Sequence, residues 1–156
     1  MARVDNYEQR FGGIGRLYGT EALARLRQAH ICVIGIGGVG SWAVEALARS
    51  GVGKITMIDM DDICVTNINR QIHALTGNIG QLKTEVMQQR VKLINPECDV
   101  NVIDDFISAG NLSQYLHAEY DYVIDAIDNV KTKAAMISYC KRNKIKIITI
   151  GGAGGQ

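Results

Sequence analysis

The feature that most constrains the fold is a glycine-rich turn, GIGGVG, at residues 35–40. The apolar run HICVIG before it (residues 30–35) is typical of a β-strand, and SWAVEALARSG after it (residues 41–51) has the apolar spacing of a helix with a glycine C-cap. Between a strand and a helix, a GxGxxG pattern allows a tight turn and brings backbone N–H groups close to a phosphate. The predicted phosphate-binding glycines are Gly35, Gly37, Gly38 and Gly40.

Strand and helix signals continue to alternate along the rest of the chain. The further predicted strands are residues 54–59, 99–104, 120–128 and 144–151. The further predicted helices are residues 80–94, 111–117 and 130–142. Strands separated by helices form a parallel sheet that is covered on both faces and binds ligands beyond the carboxyl ends of its strands. We therefore predict an α/β fold with a doubly wound, mainly parallel, Rossmann-like sheet.

The chain divides into two parts around the first strand. Residues 1–29 are predicted to be a helical segment, with a capped helix at residues 20–27. Residues 30–156 are predicted to be a nucleotide-binding domain, and the chain ends just past its fifth predicted strand. This ending predicts that the C-terminal part of the domain is missing from the sequence.

Composition places the chain among ordinary globular domains. It has 156 residues, 47% of them hydrophobic, and a net charge of +1, which excludes a strongly basic or acidic protein but not a local basic surface. It shows no secretory signal and no apolar run long enough to span a bilayer. Its four cysteines form no CxxC pair, which disfavours zinc binding within these residues. We predict a cytoplasmic location with reduced thiols.

The polar segment TNINRQIHAL (residues 66–75) decides between redox and ATP chemistry. Asp59 lies 19 residues after Gly40, where a carboxylate accepts hydrogen bonds from ribose hydroxyls. NAD needs little beyond backbone contacts to its pyrophosphate, whereas ATP attacked at its α-phosphorus places growing charge on the leaving pyrophosphate. Arg70 grips phosphate with two parallel N–H groups, and Lys83 supplies a mobile charge, so the pattern predicts ATP. The other predicted polar contacts are Asp61, Asn67 and Gln71.

Two carboxylates in IDAIDN (residues 124–129) end the fourth predicted strand. Asp128 lies farther into the loop than Asp125, and Asn129 follows it. Mg²⁺ prefers oxygen ligands and keeps several waters, so one or two carboxylates and the phosphates of ATP suffice to hold it. We predict that Asp128 is the Mg²⁺ ligand and that Asn129 lies beside the nucleotide. Asp125 either faces the metal as well or accepts backbone hydrogen bonds.

Several stretches of the chain together resemble one family. GIGGVGSW, DMDDICVTNINRQIHAL, GQLK and IDAIDN are similar to the adenylating domain shared by ubiquitin-activating E1 enzymes and the bacterial ThiF, MoeB and HesA proteins. RFGGIGRLYG (residues 10–19), the run SGVGKITMIDMDDICVTNINRQIHAL and the final GGAGGQ narrow the resemblance to the branch that dehydrates N6-threonylcarbamoyladenosine in tRNA. The resemblance covers all 156 residues and implies the N-terminal part of an E1-type adenylation domain.

The resemblance implies a role for each candidate residue. Asp59 would hold the ribose of ATP, Lys83 would contact its triphosphate, and Asp128 would position Mg²⁺. The implied phosphate contacts are Asn67, Arg70 and Gln71, and the implied catalytic residues are Arg70, Lys83 and Asp128.

The resemblance also implies an arginine from the N-terminal segment. In many relatives this arginine reaches the ATP of the partner subunit, which implies a homodimer. Gly13 occupies its position here and is flanked by Arg10 and Arg16. We predict that Arg16 takes over this role.

The implied activity is ATP-dependent dehydration of the modified adenosine beside the anticodon of a tRNA, through an acyl-adenylate. The alternative within the family is adenylation of a ubiquitin-like sulfur carrier protein, with a sulfur-carrier or desulfurase-system partner. DNA is not an expected partner, and membrane association would require C-terminal residues beyond this chain. Outside the family, two interpretations stay open: an NAD-dependent oxidoreductase, which Arg70 and Lys83 disfavour, and a non-catalytic nucleotide-binding scaffold.

Overall fold

The computed structural model describes residues 6–152, and a parallel β-sheet lies at its centre. The strands are β1 (His30–Ile34), β2 (Lys54–Ile58), β3 (Asp99–Ile103), β4 (Tyr122–Asp125) and β5 (Ile147–Thr149). They are ordered β3-β2-β1-β4-β5, and every neighbouring pair is parallel. The predicted doubly wound α/β fold is confirmed. The strand order reverses between β1 and β4, the position at which such sheets bind their ligands.

Helices connect the strands and cover the sheet. They are α1 (Tyr7–Tyr18), α2 (Thr20–Gln28), α3 (Gly40–Arg49), α4 (Lys83–Ile94), α5 (Leu112–Tyr115) and α6 (Val130–Arg142). Two short 3-10 turns, Val65–Asn67 and Thr76–Asn78, shape the polar segment between β2 and α4. Within residues 6–152, no helix is both long and apolar enough to cross a membrane.

Three predicted elements differ from the structure by three residues at one end, each for a local reason. Helix α4 begins at Lys83 and not at residue 80, because Gly80 has a φ of +90°, which an α-helix does not contain. Strand β4 stops at Asp125, whose side chain accepts the N–H of Ile127 and turns the chain. Strand β5 begins only at Ile147, after the helix α6 has ended in a turn.

Helix α1 was not predicted as a separate helix. Its sequence, YEQRFGGIGRLY, contains three glycines, which weaken helix propensity. The helix is stabilised by tertiary contacts, because Tyr7 and Phe11 are buried with Leu23 of α2. The Tyr7 hydroxyl also donates a hydrogen bond to the Gly51 carbonyl at 2.6 Å, just past the end of α3.

The core has two layers, one on each face of the sheet. Along β1, Ile31 and Val33 point toward α3 and α4, whereas Cys32 and Ile34 point toward α5 and α6. This alternation follows from the two-residue period of a strand, and it leaves the middle of β1 buried on both sides. Burial raises the pKa of the Cys32 thiol, so Cys32 packs as a small apolar side chain.

An ion pair links the two helices on one face of the sheet. The Arg90 Nε donates to the Glu45 carboxylate at 2.6 Å, and Arg49 donates to the same carboxylate at 2.8 Å. Hydrogen bonding to Arg90 holds the pKa of Glu45 below its usual range, although burial acts in the opposite direction. The ionised form of Glu45 is therefore favoured by folding.

This ion pair predicts a pH dependence of stability. The pKa of Glu45 is lower in the folded than in the unfolded state, so ionised Glu45 stabilises the fold by about 1 kcal/mol. This stabilisation is complete above the unfolded pKa of about 4.3 and is lost as the pH falls through the pKa of Glu45 in the folded state. In urea unfolding between about pH 3 and pH 7, Glu45→Gln should lose less of its free energy of unfolding on acidification than the native chain. The exposed Glu21→Gln is the control. Parallel curves for the native chain and Glu45→Gln would contradict the prediction.

Candidate active site

The glycine turn after β1 is held at its second residue by two buried side chains. The Asp59 Oδ2 accepts the Ile36 N–H at 2.7 Å, and the His73 Nε2 lies 2.8 Å from the Ile36 carbonyl oxygen. Because that oxygen only accepts, the His73 Nε2 carries the hydrogen. Burial lowers the pKa of His73, which keeps the imidazole neutral. The Ile36 N–H and carbonyl groups are therefore both hydrogen-bonded within the chain, which orients this peptide before any ligand binds.

Close backbone contacts explain two of the glycines. A Cβ atom on Gly40 would lie 1.6 Å from the Gly35 carbonyl oxygen, so no side chain fits at the start of α3. Gly35 has a φ of +87°, and a Cβ there would lie 3.0 Å from the Ala126 carbonyl oxygen. The loop after β4 thus lies directly against the turn after β1, at the reversal point of the sheet.

Arg70 and Gln71 lie over the turn. A Cβ on Gly38 would be 3.5 Å from the Arg70 Cγ and Cδ atoms, and one on Gly37 would be 3.6 Å from the Gln71 Nε2. The Arg70 Nη1 donates to the Thr66 carbonyl and to Asn69 Oδ1, both at 3.1 Å. The Arg70 stem therefore crosses the glycine turn, and its guanidinium is oriented by its own segment.

Neighbouring groups fix the backbone of this segment. The Trp42 indole on α3 donates to the Arg70 carbonyl at 2.9 Å, and the Asn67 Oδ1 accepts the Cys64 N–H at 2.8 Å. Asn67 is buried, and this hydrogen bond with Cys64 closes the 3-10 turn that precedes Arg70. The Gln71 Oε1 is buried and has no hydrogen-bond donor among residues 6–152. Gln71 thus presents a free acceptor beside the turn.

Lys83 lies at the first position of α4 with its side chain only 8% exposed. Its Nζ is 3.8 Å from the Asp61 Oδ2, and its backbone N–H donates to the Asp61 carbonyl at 3.1 Å. The Asp61 side chain is 53% exposed. A nearly buried ammonium is therefore positioned beside the segment that begins with Asp59, with a partly solvated carboxylate as its neighbour.

The two carboxylates after β4 have different surroundings. Asp125 is fully buried, and its Oδ1 accepts from the Ile127 N–H at 3.2 Å and from the Lys133 Nζ at 2.9 Å. Asp128 is exposed at the rim of the site. The Asn129 Oδ1 accepts the Thr132 N–H at 3.0 Å and caps α6. Asp128 is thus the carboxylate of this pair that is open to a ligand.

The residues present are compatible with a Mg²⁺ ion that is bound together with phosphates. No group of three or more His, Cys, Asp or Glu side chains that could hold a metal is found in the part of the chain that the structure describes. Mg²⁺ commonly uses one or two carboxylates and completes its shell with water and phosphate oxygens. Asp128 would supply such a carboxylate here, next to the glycine turn.

Arg16 lies apart from the other candidates. It is an exposed residue in the last turn of α1. Helix α1 contacts Gly51 and also Ile94, whose carbonyl accepts from the Arg10 Nη1 at 3.2 Å. Gly51 and Ile94 lie where α3 and α4 end, at the edge of the sheet opposite to the glycine turn. Helix α1, which carries Arg16, therefore packs at the edge of the sheet opposite to the glycine turn of its own chain.

The structure brings most of the predicted site residues to one edge of the sheet. Those at the glycine turn or in the segment beside it are Gly35, Gly37, Gly38, Gly40, Asp59, Asp61, Asn67, Arg70, Gln71 and Lys83. Asp128 and Asn129 directly follow the loop residues Ala126 and Ile127, which contact the turn. Sequence reasoning missed His73 and Lys133, whose polar atoms meet backbone and carboxylate groups of this site. A histidine three residues after Arg70 and a lysine five residues after Asp128 are the only signals that the sequence offered.

The comparison with known protein families assigns the chain to one of them. Residues 13–156 match the ThiF family, and the chain belongs to it. This result confirms the family resemblance inferred from the sequence motifs.

Within the family, the chain is similar to curated tRNA threonylcarbamoyladenosine dehydratases. It is 80% identical to that of Haemophilus influenzae over 156 residues, all of this chain and 60% of the relative. It is 64% identical to that of Escherichia coli K12 over 152 residues, 97% of this chain and 57% of the relative. The crystal structure of the E. coli enzyme in complex with ATP matches with a TM-score of 0.95 at 64% identity, covering 97% of this chain and 63% of that one. The chain thus spans about three fifths of the length of these relatives.

Proposed function

We propose that this chain is the ATP-binding part of a tRNA threonylcarbamoyladenosine dehydratase, which activates a carboxylate as an acyl-adenylate. The observation that supports it most is the position of Arg70 across the glycine turn, with the nearly buried Lys83 ammonium close to Asp61. A site for NAD needs no such pair of cations. The high identity to relatives of that name, one of them crystallised with ATP, supports the same function.

The proposed nucleotide position follows from the donors around the turn. Backbone N–H groups of the turn and the N-terminus of α3 would bind phosphate oxygens. Asp59 uses one lone pair of each oxygen for the N–H groups of Ile36 and Asp61, at 2.7 and 2.8 Å, which leaves further lone pairs for ribose hydroxyls. Arg70, Gln71 and Lys83 would lie along the triphosphate. Asp128 would hold Mg²⁺, which neutralises phosphate charge when it is bound.

The chemical problem is that a carboxylate has no leaving group. A carboxylate oxygen would attack the α-phosphorus of ATP, and the bond to the bridging oxygen of pyrophosphate would break. The cations Arg70 and Lys83 would stabilise the charge that grows on the leaving pyrophosphate. In the modified adenosine, the carbamoyl nitrogen would then attack the acyl carbon, lose its proton and expel AMP with the former carboxylate oxygen. The net result is a ring, with water lost and ATP converted to AMP and pyrophosphate.

Pyrophosphate exchange tests the proposed substrate. Full-length protein incubated with ATP, Mg²⁺ and labelled pyrophosphate should form labelled ATP when tRNA carrying N6-threonylcarbamoyladenosine is added. A sulfur carrier protein that ends in Gly-Gly should give no exchange above background, and tRNA without the modification is the matched control. Exchange with the carrier and not with the tRNA would assign the chain to the alternative function. ADP and phosphate as products would contradict attack at the α-phosphorus.

Two further features belong to the proposal. A homodimer would allow Arg16 of one chain to approach the ATP of the other, since the helix that carries Arg16 packs at the edge of its own sheet opposite to the glycine turn. A cytoplasmic location would give the enzyme access to its tRNA. Sedimentation of the full-length protein at the mass of a monomer, with unchanged activity in Arg16→Ala, would remove the dimer from the proposal.

A further inference from the structure

Lys133 of α6 reaches back to the loop that precedes its own helix. Its side chain is only 11% exposed, and its Nζ donates to the Asp125 Oδ1 at 2.9 Å and to the Ile127 carbonyl at 2.6 Å. A buried ammonium needs such partners, because unpaired it would be strongly destabilising. Asp125 and Ile127 lie at the two ends of a short loop segment. Lys133 therefore joins these two ends through its ammonium, just before Asp128.

The loop segment that Lys133 holds, residues 125–127, also contacts the glycine turn. A Cβ on Gly35 would lie 3.0 Å from the Ala126 carbonyl oxygen, and one on Gly40 would lie 3.3 Å from the Ala126 Cβ. The Ile127 carbonyl that Lys133 holds belongs to the peptide bond leading into Asp128. The Lys133 ammonium therefore holds the carbonyl next to Asp128 in the loop that contacts the glycine turn.

We propose that Lys133 is a positioning residue for the Asp128 carboxylate, which it holds at the place where Mg²⁺ and the phosphates of ATP would meet. This inference rests on the proposed function. Stability alone is a poor reason for the pair, since a buried ion pair is often no more stabilising than apolar residues of the same volume. Groups that orient a metal-binding side chain commonly change metal affinity by about 10–100-fold when removed.

The test compares Lys133→Met with Lys131→Met, an exposed lysine on the same helix. In the full-length protein, Lys133→Met should raise the Mg²⁺ concentration for half-maximal ATP turnover by about tenfold. The KM for ATP should rise with it, and kcat at saturating Mg²⁺ should change much less. Lys133→Arg should restore most of the Mg²⁺ affinity, and Lys131→Met should behave as the native protein.

A second readout needs neither ATP nor metal. The Ile127 N–H donates to Asp125 at 3.2 Å, so its hydrogen exchange reports whether the loop stays closed. Exchange of this amide in the ligand-free protein should be faster in Lys133→Met and unchanged in Lys131→Met. Equal exchange in Lys133→Met and the native protein would overturn the inference.

The double variant Asp125→Asn with Lys133→Met separates positioning from stability. It removes both charges, so the melting temperature should recover relative to Lys133→Met alone. The raised Mg²⁺ requirement should remain, because the Ile127 carbonyl still lacks the hydrogen bond from Lys133. Recovery of both properties would mean that Lys133 only neutralises Asp125.

The outcomes for the proposed function and for this inference can be told apart. A native protein that turns over no ATP at any Mg²⁺ concentration overturns both. Normal turnover with an unchanged Mg²⁺ requirement in Lys133→Met overturns the inference alone.

Discussion

Lys83→Ala and Arg70→Ala should each lower kcat for ATP-dependent turnover by about 10²–10³-fold, equivalent to about 2.7–4 kcal/mol of transition-state stabilisation. Each cation would be aimed at charge that develops on the leaving pyrophosphate; Lys83 is nearly buried, whereas Arg70 is exposed before a ligand binds. Lys83 is only 8% exposed, and the Arg70 stem crosses Gly38. Single-turnover measurements of AMP release in the full-length protein would separate this loss from weaker ATP binding.

Matched variants show whether the loss is specific. Lys141→Ala and Arg25→Ala remove one exposed cation of each type and should keep full activity. Arg70→Lys should remain strongly impaired, because an ammonium does not reproduce the two parallel N–H donors of a guanidinium. The melting temperatures of Lys83→Ala and Arg70→Ala should stay close to the native value. Native turnover in either alanine variant would remove its proposed phosphate role.

Gly40→Ala is expected to damage the fold itself. The added Cβ would lie 1.6 Å from the Gly35 carbonyl oxygen, a backbone atom that cannot move away as a flexible side chain could. We expect a loss on the order of 3 kcal/mol in the free energy of unfolding, with a melting temperature lower by roughly 6–12 °C. Because the turn is also the proposed phosphate site, ATP binding should be lost along with stability.

Gly77→Ala is the control for this change. Gly77 lies in the second 3-10 turn, and an added Cβ would meet no atom within 4 Å. Its melting temperature should stay within about 2 °C of the native value. Thermal unfolding of both variants, followed by circular dichroism, measures the difference. Equal melting temperatures for Gly40→Ala and Gly77→Ala would contradict the tight turn seen between β1 and α3.

The parallel sheet could be predicted from the sequence because its strands and helices have regular apolar periods. Helix α6 was predicted to the residue, since its N-cap and its apolar spacing agree. Helix α1 lies in the segment predicted to be helical but was not predicted as a separate helix, because three glycines mask its period and its stability comes from packing of Tyr7 and Phe11. Local signals thus predicted the sheet, but not the bounds of the helix that depends on distant contacts.

The same division applies to the candidate site. Residue type and order predicted which side chains would gather at the carboxyl edge of the sheet, because all of them follow β1, β2 or β4. The hydrogen bond from His73 to the Ile36 carbonyl joins residues 37 positions apart, and sequence spacing gives no measure of such a contact. Asp125 is buried and Asp128 is exposed, and this difference also depends on tertiary packing. Support groups such as His73 and Lys133 therefore emerge only from the structure.

A crystal structure of this protein with Mg²⁺ and an ATP analogue that resists cleavage at the α-phosphate tests the central claim most directly. The triphosphate should lie on the glycine turn, with the Arg70 guanidinium and the Lys83 Nζ within about 3 Å of phosphate oxygens and Asp128 at the metal. An analogue bound elsewhere, or one bound on the turn while both cations point into solvent, would contradict it.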